Sequence, residues 1–142
     1  MGRTLAGWIN GTPRNWRVEM KNLGKFTVPQ LLDQFRDACL AQYDTYITGK
    51  IGKYNRLQDF LLAVTRELKR RGVEERRSLL ILLADKNPQV RLQAAIKVYS
   101  VAPNEAKACM TTIAAAGLPD QSLAARMMLR GLEEDPHCLD WI

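Results

Sequence analysis

Residues able to do chemistry are few in this sequence, and they are poorly grouped. His137 is the single histidine among 142 residues, and it stands beside Cys138 and close to Asp135 and Asp140. These side chains can ligate a metal, but they lack ligand spacing and no second cluster completes a set. A Cys–His nucleophile pair would need a local signature around the thiol, and none is present. Glu133-Glu134-Asp135 could serve as paired carboxylates for acid–base work. At the end of a helix, however, such a run reads as a solvated terminus, slightly opposed by the helix dipole. The expectation is a protein that is not an enzyme, with no catalytic, cofactor-binding or metal residues.

Binding side chains are more plentiful. Arg66, Lys69, Arg70, Arg71, Arg76 and Arg77 form a basic cluster diluted by Glu67, Glu74 and Glu75. Phosphates would use such a cluster, although the mixed signs and lack of nearby aromatics equally fit an exposed hairpin tip. Arg91 reads as structural, with Asp85 as its mate. Gln89, Gln93 and Lys97 share the polar side of a helix that is second in its hairpin, the position that lines the concave face of solenoids. With Arg56, Arg70 and Arg71 they are the expected partner-binding residues. Tyr54 reads as a packing residue, Asn55 and Arg56 as exposed or bracing. Met127-Met128 reads as a pliable apolar pair in the core.

The elements that must position these residues are helical. Thr27 can cap a helix that has Pro29 in its first turn and Gln30 completing a capping box. Apolar residues follow at Leu31, Leu32, Phe35, Ala38, Cys39, Tyr43, Tyr46 and Ile47, and Gly49 stops the helix. A second helix runs from Ile51 or Lys53 to Arg71, with Tyr54, Leu57, Leu61, Val64 and Leu68 in its stripe. The third begins near Val73 and carries Leu79-Leu80-Ile81-Leu82-Leu83-Ala84. Asn87 and Pro88 open the fourth, which ends before Pro103. The fifth spans roughly Glu105 to Ala116, and the sixth starts at Pro119-Asp120 with Leu123, Ala124, Met127, Met128 and Leu132 in its stripe. No segment sustains two-residue alternation, so no sheet is expected. Short links make successive helices neighbours.

Composition is that of one globular domain, 46% hydrophobic and 25% charged, with a net charge of +6. That charge permits contact with nucleic acid or an anionic surface without requiring it. Cys39, Cys109 and Cys138 form no C-x-x-C pair and read as reduced thiols in a cytoplasmic protein. No apolar run is long enough for a membrane span. Residues 1–19, with Gly2, Gly7, Gly11 and Pro13, read as an arm outside the fold. Trp16-Arg17-Val18-Glu19-Met20 can be encoded with GGAGG shortly before ATG, as in a bacterial ribosome-binding site. Translation is therefore expected to start at Met20, which removes Arg3, Arg14, Arg17 and Glu19 and lowers the net charge to +4. The expected organisation is an arm at 1–22, a helical domain at 23–134 and a tail at 135–142.

Leu79–Ala95, with its leucine-rich first helix, Asn87-Pro88 turn, Val90-Arg91 opening and Ala94-Ala95 pair, resembles a HEAT repeat. Pro119–Arg126 echoes the same turn loosely. Most of residues 23–134 also resembles a bacterial domain-of-unknown-function family, number two thousand and nineteen. The resemblance is carried by Tyr54-Asn55-Arg56-Leu57 after Gly52-Lys53, by Glu67-Leu68-Lys69 and by Asn87-Pro88-Gln89-Val90-Arg91-Leu92. It implies an all-α fold of about six helices in antiparallel hairpins, a short HEAT/armadillo-like superhelix. It implies no catalytic residue. The functional expectation is a protein–protein interaction module of unidentified partner, in an immunity or regulatory role. The alternative is a nucleic-acid binder using the basic cluster at 66–77.

Overall fold

The computed structural model describes residues 8–9 and 12–142, with side chains from Arg14 onward. The chain divides into two compact units, residues 1–71 and 72–142.

The first unit is built on two long helices, α2 (Val28–Thr48) and α3 (Ile51–Arg71). Thr27 caps α2 as the sequence requires. Its hydroxyl accepts from the Gln30 amide N–H, and its own amide donates to the Gln30 side chain. Gly49 ends the helix at φ 70°, a left-handed conformation that costs glycine nothing. The two-residue link turns the chain back. Gln42 donates to Tyr54 O and to Gln58 Oε1, while Tyr46 meets Tyr54. Rising positions in α2 thus face falling positions in α3, which makes the pair antiparallel. The two helices pack on each other, with Leu31, Phe35, Ala38 and Cys39 of α2 and Leu57, Phe60, Leu61, Val64 and Leu68 of α3 fully buried. The core thins toward the turn, so Tyr43, Tyr46 and Ile47 are exposed although they continue the apolar spacing.

Residues 14–22, expected to lie in the arm, pack instead. Helix α1 (Trp16–Met20) lies against α3, with the rings of Trp16 and Phe60 edge-on at 4.8 Å between centroids. A 3-10 turn at Leu23–Lys25 buries Leu23. Ahead of them β1 (Trp8–Ile9) and β2 (Thr12–Pro13) pair antiparallel. This hairpin corrects the expectation of no sheet: two residues per strand are too short to leave any alternation to read. The remainder of the expected arm, residues 1–7, 10 and 11, lies outside the described residues.

The second unit opens with α4 (Val73–Arg77), which passes directly into a 3-10 helix at Ser78–Ala84 where a continuous α-helix was expected. The tighter period explains which residues of the leucine run are buried. In a 3-10 helix side chains three apart eclipse. Leu79 and Leu82 therefore face inward, while Ile81 is 69% exposed.

Asn87 caps α5 (Pro88–Val98), its side-chain oxygen accepting from the amides of Gln89 and Val90. Arg76 reaches Lys97 O while Arg91 reaches the main-chain oxygens of Asp85 and Lys86, so α5 runs back along the preceding segment. Small Ala94 and Ala95, both fully buried, let α5 approach its neighbours closely. Helices α6 (Pro103–Ala115) and α7 (Gln121–Glu134) pack on each other and on α5. The expected tail is partly inside: Leu139 and Ile142 are buried, and the Ser100 hydroxyl donates to Leu139 O. Apart from the β1–β2 pair, the described residues are helices and their connections.

Candidate functional site

A well-formed cleft lies in the first unit. It has a volume of about 780 Å³ and is lined by α1, the segment before it and the start of α3. Arg14 forms its inner wall and is the residue that holds α1 in place. Its guanidinium donates to Asp37 at 2.9 Å and to Glu19, bonds Gln34, and stacks 3.9 Å above the Trp16 ring. Aromatic burial and a two-acid arginine clamp together fix a five-residue helix that could not persist alone.

The rim carries Arg17, Lys50, Lys53 and Arg56, with Asp59 as the one carboxylate among the lining side chains. Arg17, Lys50 and Arg56 are exposed and Lys53 is half-buried. None of these four side chains makes a hydrogen bond or ion pair with another described residue. Glu19 and Asp37, behind Arg14, temper the positive field without reversing it.

The second cluster is differently wired. Glu67 accepts from both Arg70 and Arg71, and these hydrogen bonds hold its pKa down at about 2, against a modest upward push from burial. Arg71 also donates to the main-chain oxygens of Leu23 and Gly24. In the second unit the buried Arg76 donates twice to Lys97 O, and burial lowers its pKa. Arg77 donates to Val101 O at 2.6 Å, with Glu105 3.9 Å away. The basic residues at 66–77 therefore fall in two units, and Arg70, Arg71, Arg76 and Arg77 are engaged with acceptors of the protein itself. Arg66 and Arg70 keep exposed heads.

Of the expected partner-binding residues, Arg56 and Arg70 are exposed and Arg71 is half-buried. Gln89, Gln93 and Lys97 are not on any accessible face: their exposures are 0%, 3% and 0%. Lys97 Nζ donates to Gln93 Oε1 at 2.6 Å, and Gln121 donates to Gln89 Oε1 at 3.0 Å. Gln89 is thus tied to α7 and Gln93 to Lys97 one turn along α5, so these residues belong to the interior. Met127, expected inside, is 66% exposed. Leu123 is likewise exposed on the same face of α7, whose buried face uses Gln121, Ser122, Ala125 and Leu132.

His137 pairs with Asp140 at 2.9 Å on the surface, and Glu133, Glu134 and Asp135 are exposed. Among the described residues no group of three or more His, Cys, Asp or Glu is placed to hold a metal, and no helix is long and apolar enough to cross a membrane.

Arg14, Arg17, Lys50 and Lys53 were not singled out by sequence reasoning. A local signal was present, since Arg14 and Arg17 flank Trp16 and Lys50 and Lys53 flank Gly52. What joins these two stretches is the packing of Trp16 on Phe60, which no spacing encodes.

These features define an all-helical domain with an open basic cleft and a polar but internally satisfied core. The chain belongs to the family DUF2019, a domain of unknown function, whose pattern matches residues 29–133. It is also similar to the crystal structure of the protein RPA1889 from Rhodopseudomonas palustris CGA009. The two share 32% identity over 80% of this chain and 93% of that one, with a TM-score of 0.77. No match was found among curated proteins.

Proposed function

We propose that this protein is a non-catalytic interaction module that docks another protein through the outward face of α7, its second unit stacking helical hairpins in the HEAT manner. The observation that carries this reading is the pair Leu123 and Met127, one turn apart and 51% and 66% exposed. Exposed Arg126, which also donates to Ala114 O, and Arg130 flank them at helical spacing. Isolated exposed apolar residues are ordinary, but a pair framed by two cations has the make-up of a small anchor with a charged rim. The complementary partner is a segment with an apolar anchor and acidic flanks. A compact module of this kind suits an immunity or regulatory role, in which binding itself is the activity.

A photocrosslinking residue at position 127 tests this directly. In the native host it should give one protein adduct that a probe at exposed Thr111 does not. Adducts only to a second copy of the chain, or none at either position, would sink the reading.

Nucleic-acid binding through residues 66–77 has less support, because Arg71, Arg76 and Arg77 each donate to main-chain oxygens of the protein itself.

A further inference from the structure

We infer that the cleft between α1 and the start of α3 is a binding site for a phosphate-bearing anion. Four cations come together on it from two stretches of the sequence, Arg17 from α1 and Lys50, Lys53 and Arg56 from around the start of α3, and none of their side chains has an anionic or hydrogen-bonding partner among the described residues. Like charges gathered in one concavity repel one another, and an anion removes that repulsion. Asp59 is the one opposing carboxylate on the lining.

The contrast with the neighbouring cations is informative. Arg14, in the same cleft, is matched by Glu19 and Asp37, and Arg70 and Arg71 are matched by Glu67. Acidic partners thus pair with the cations that brace the fold, while no described carboxylate pairs with the four on the rim of the cleft.

Charge and size then narrow the ligand. Even after the acids behind Arg14 are counted, the set keeps an excess of positive charge suited to a multiply charged anion. The volume of about 780 Å³ falls within the range of small-molecule sites, roughly 300–1,000 Å³. Two arginines supply forked donors and two lysines supply point charges, the combination that phosphate oxygens use. Phosphate groups could come from a free di- or polyphosphate compound or from the backbone of a nucleic acid laid across the cleft. This site is separate from the proposed docking face on α7, and either can fail without the other.

The test uses the full chain with two probes. Inorganic pyrophosphate is titrated by calorimetry at low salt, and a short DNA duplex is followed by fluorescence anisotropy. Saturable pyrophosphate binding that weakens at least about tenfold in K53E/R56E identifies a free phosphate ligand, since two attractive contacts become repulsive. Duplex binding without pyrophosphate binding, lost in the same variant, identifies a backbone. Its affinity should then fall with salt at a log–log slope of about −3 to −4, as expected for four phosphate contacts.

K107E, on the exposed surface of α6, should leave either binding unchanged. K53Q/R56Q carries the comparison if the charge-reversed variant does not fold. The proposal is overturned if neither probe binds through the millimolar range, or if binding persists undiminished in a folded cleft variant.

Discussion

Arg14 Nη1 and Asp37 Oδ2 lie 2.9 Å apart, with the arginine side chain fully enclosed and the aspartate only 5% exposed. Twenty-three positions separate them in the chain. This ion pair ties the segment before α1 to the middle of α2, and it makes residues 14–20 part of the first unit. A buried charge whose partner is removed is strongly penalised, while the intact pair contributes little beyond a well-packed apolar substitute.

Arg14→Ala should therefore lower stability by about 3 kcal/mol in denaturant unfolding. Arg14→Met combined with Asp37→Leu should recover much of that loss. If Arg14→Ala unfolded at the wild-type midpoint, α1 would not be an integral element.

Glu67 makes acid sensitivity predictable in sign. Its folded pKa of about 2 lies below the ordinary 4.5, so the Glu67 contribution is present above pH 4.5 and fades as pH falls toward 2. The pair with Arg70 is largely at the surface, where solvent and salt screen it and keep the contribution small. Urea midpoints of wild type and Glu67→Gln should differ at pH 6 and converge by pH 2. A gap that widens on acidification would contradict the assignment.

Lys97 and Gln93 were expected to face a partner and instead are buried and hydrogen-bond each other. Gln93→Leu deprives a buried ammonium of one acceptor, at a cost of about 1–3 kcal/mol. Adding Lys97→Met should cost less than the two single changes together, because the pair is coupled. Strict additivity in that double-mutant cycle would show the contact to be energetically idle.

The three thiols should separate by reactivity. Cys39 is fully buried, and burial raises the Cys109 pKa, its thiol directed at Arg91 O. The half-exposed Cys138 should react first with a disulfide reagent under native conditions at neutral pH. Cys39 should react only as the protein unfolds. Rapid native modification of Cys39 would disprove its burial.

Local chemistry was legible without coordinates. The Thr27–Gln30 capping box, the Asn87-Pro88 start of α5 and the left-handed Gly49 stop depend on residues within four positions of one another. The alanine pair at 94 and 95 likewise announced close helix packing. Burial was less readable. Periodicity marks which face of a helix is apolar but not where the neighbouring helix ends, so Tyr46, Ile47, Leu123 and Met127 fit their stripes and still reach solvent. Polarity misled in the opposite direction at Gln89, Gln93 and Lys97, because amides and an ammonium can enter a core when they satisfy one another.

By itself, the sequence determined the longer helices, most of their limits and the family, because caps, stops and apolar spacing act over one or two turns. Tertiary structure alone decided that Arg14 would be buried, that Lys97 would turn inward and that Arg17 would meet Lys53 and Arg56 across one cleft. Each of those outcomes depends on which helix lies next to which. A helix face becomes a surface or an interior only when another element comes to rest against it.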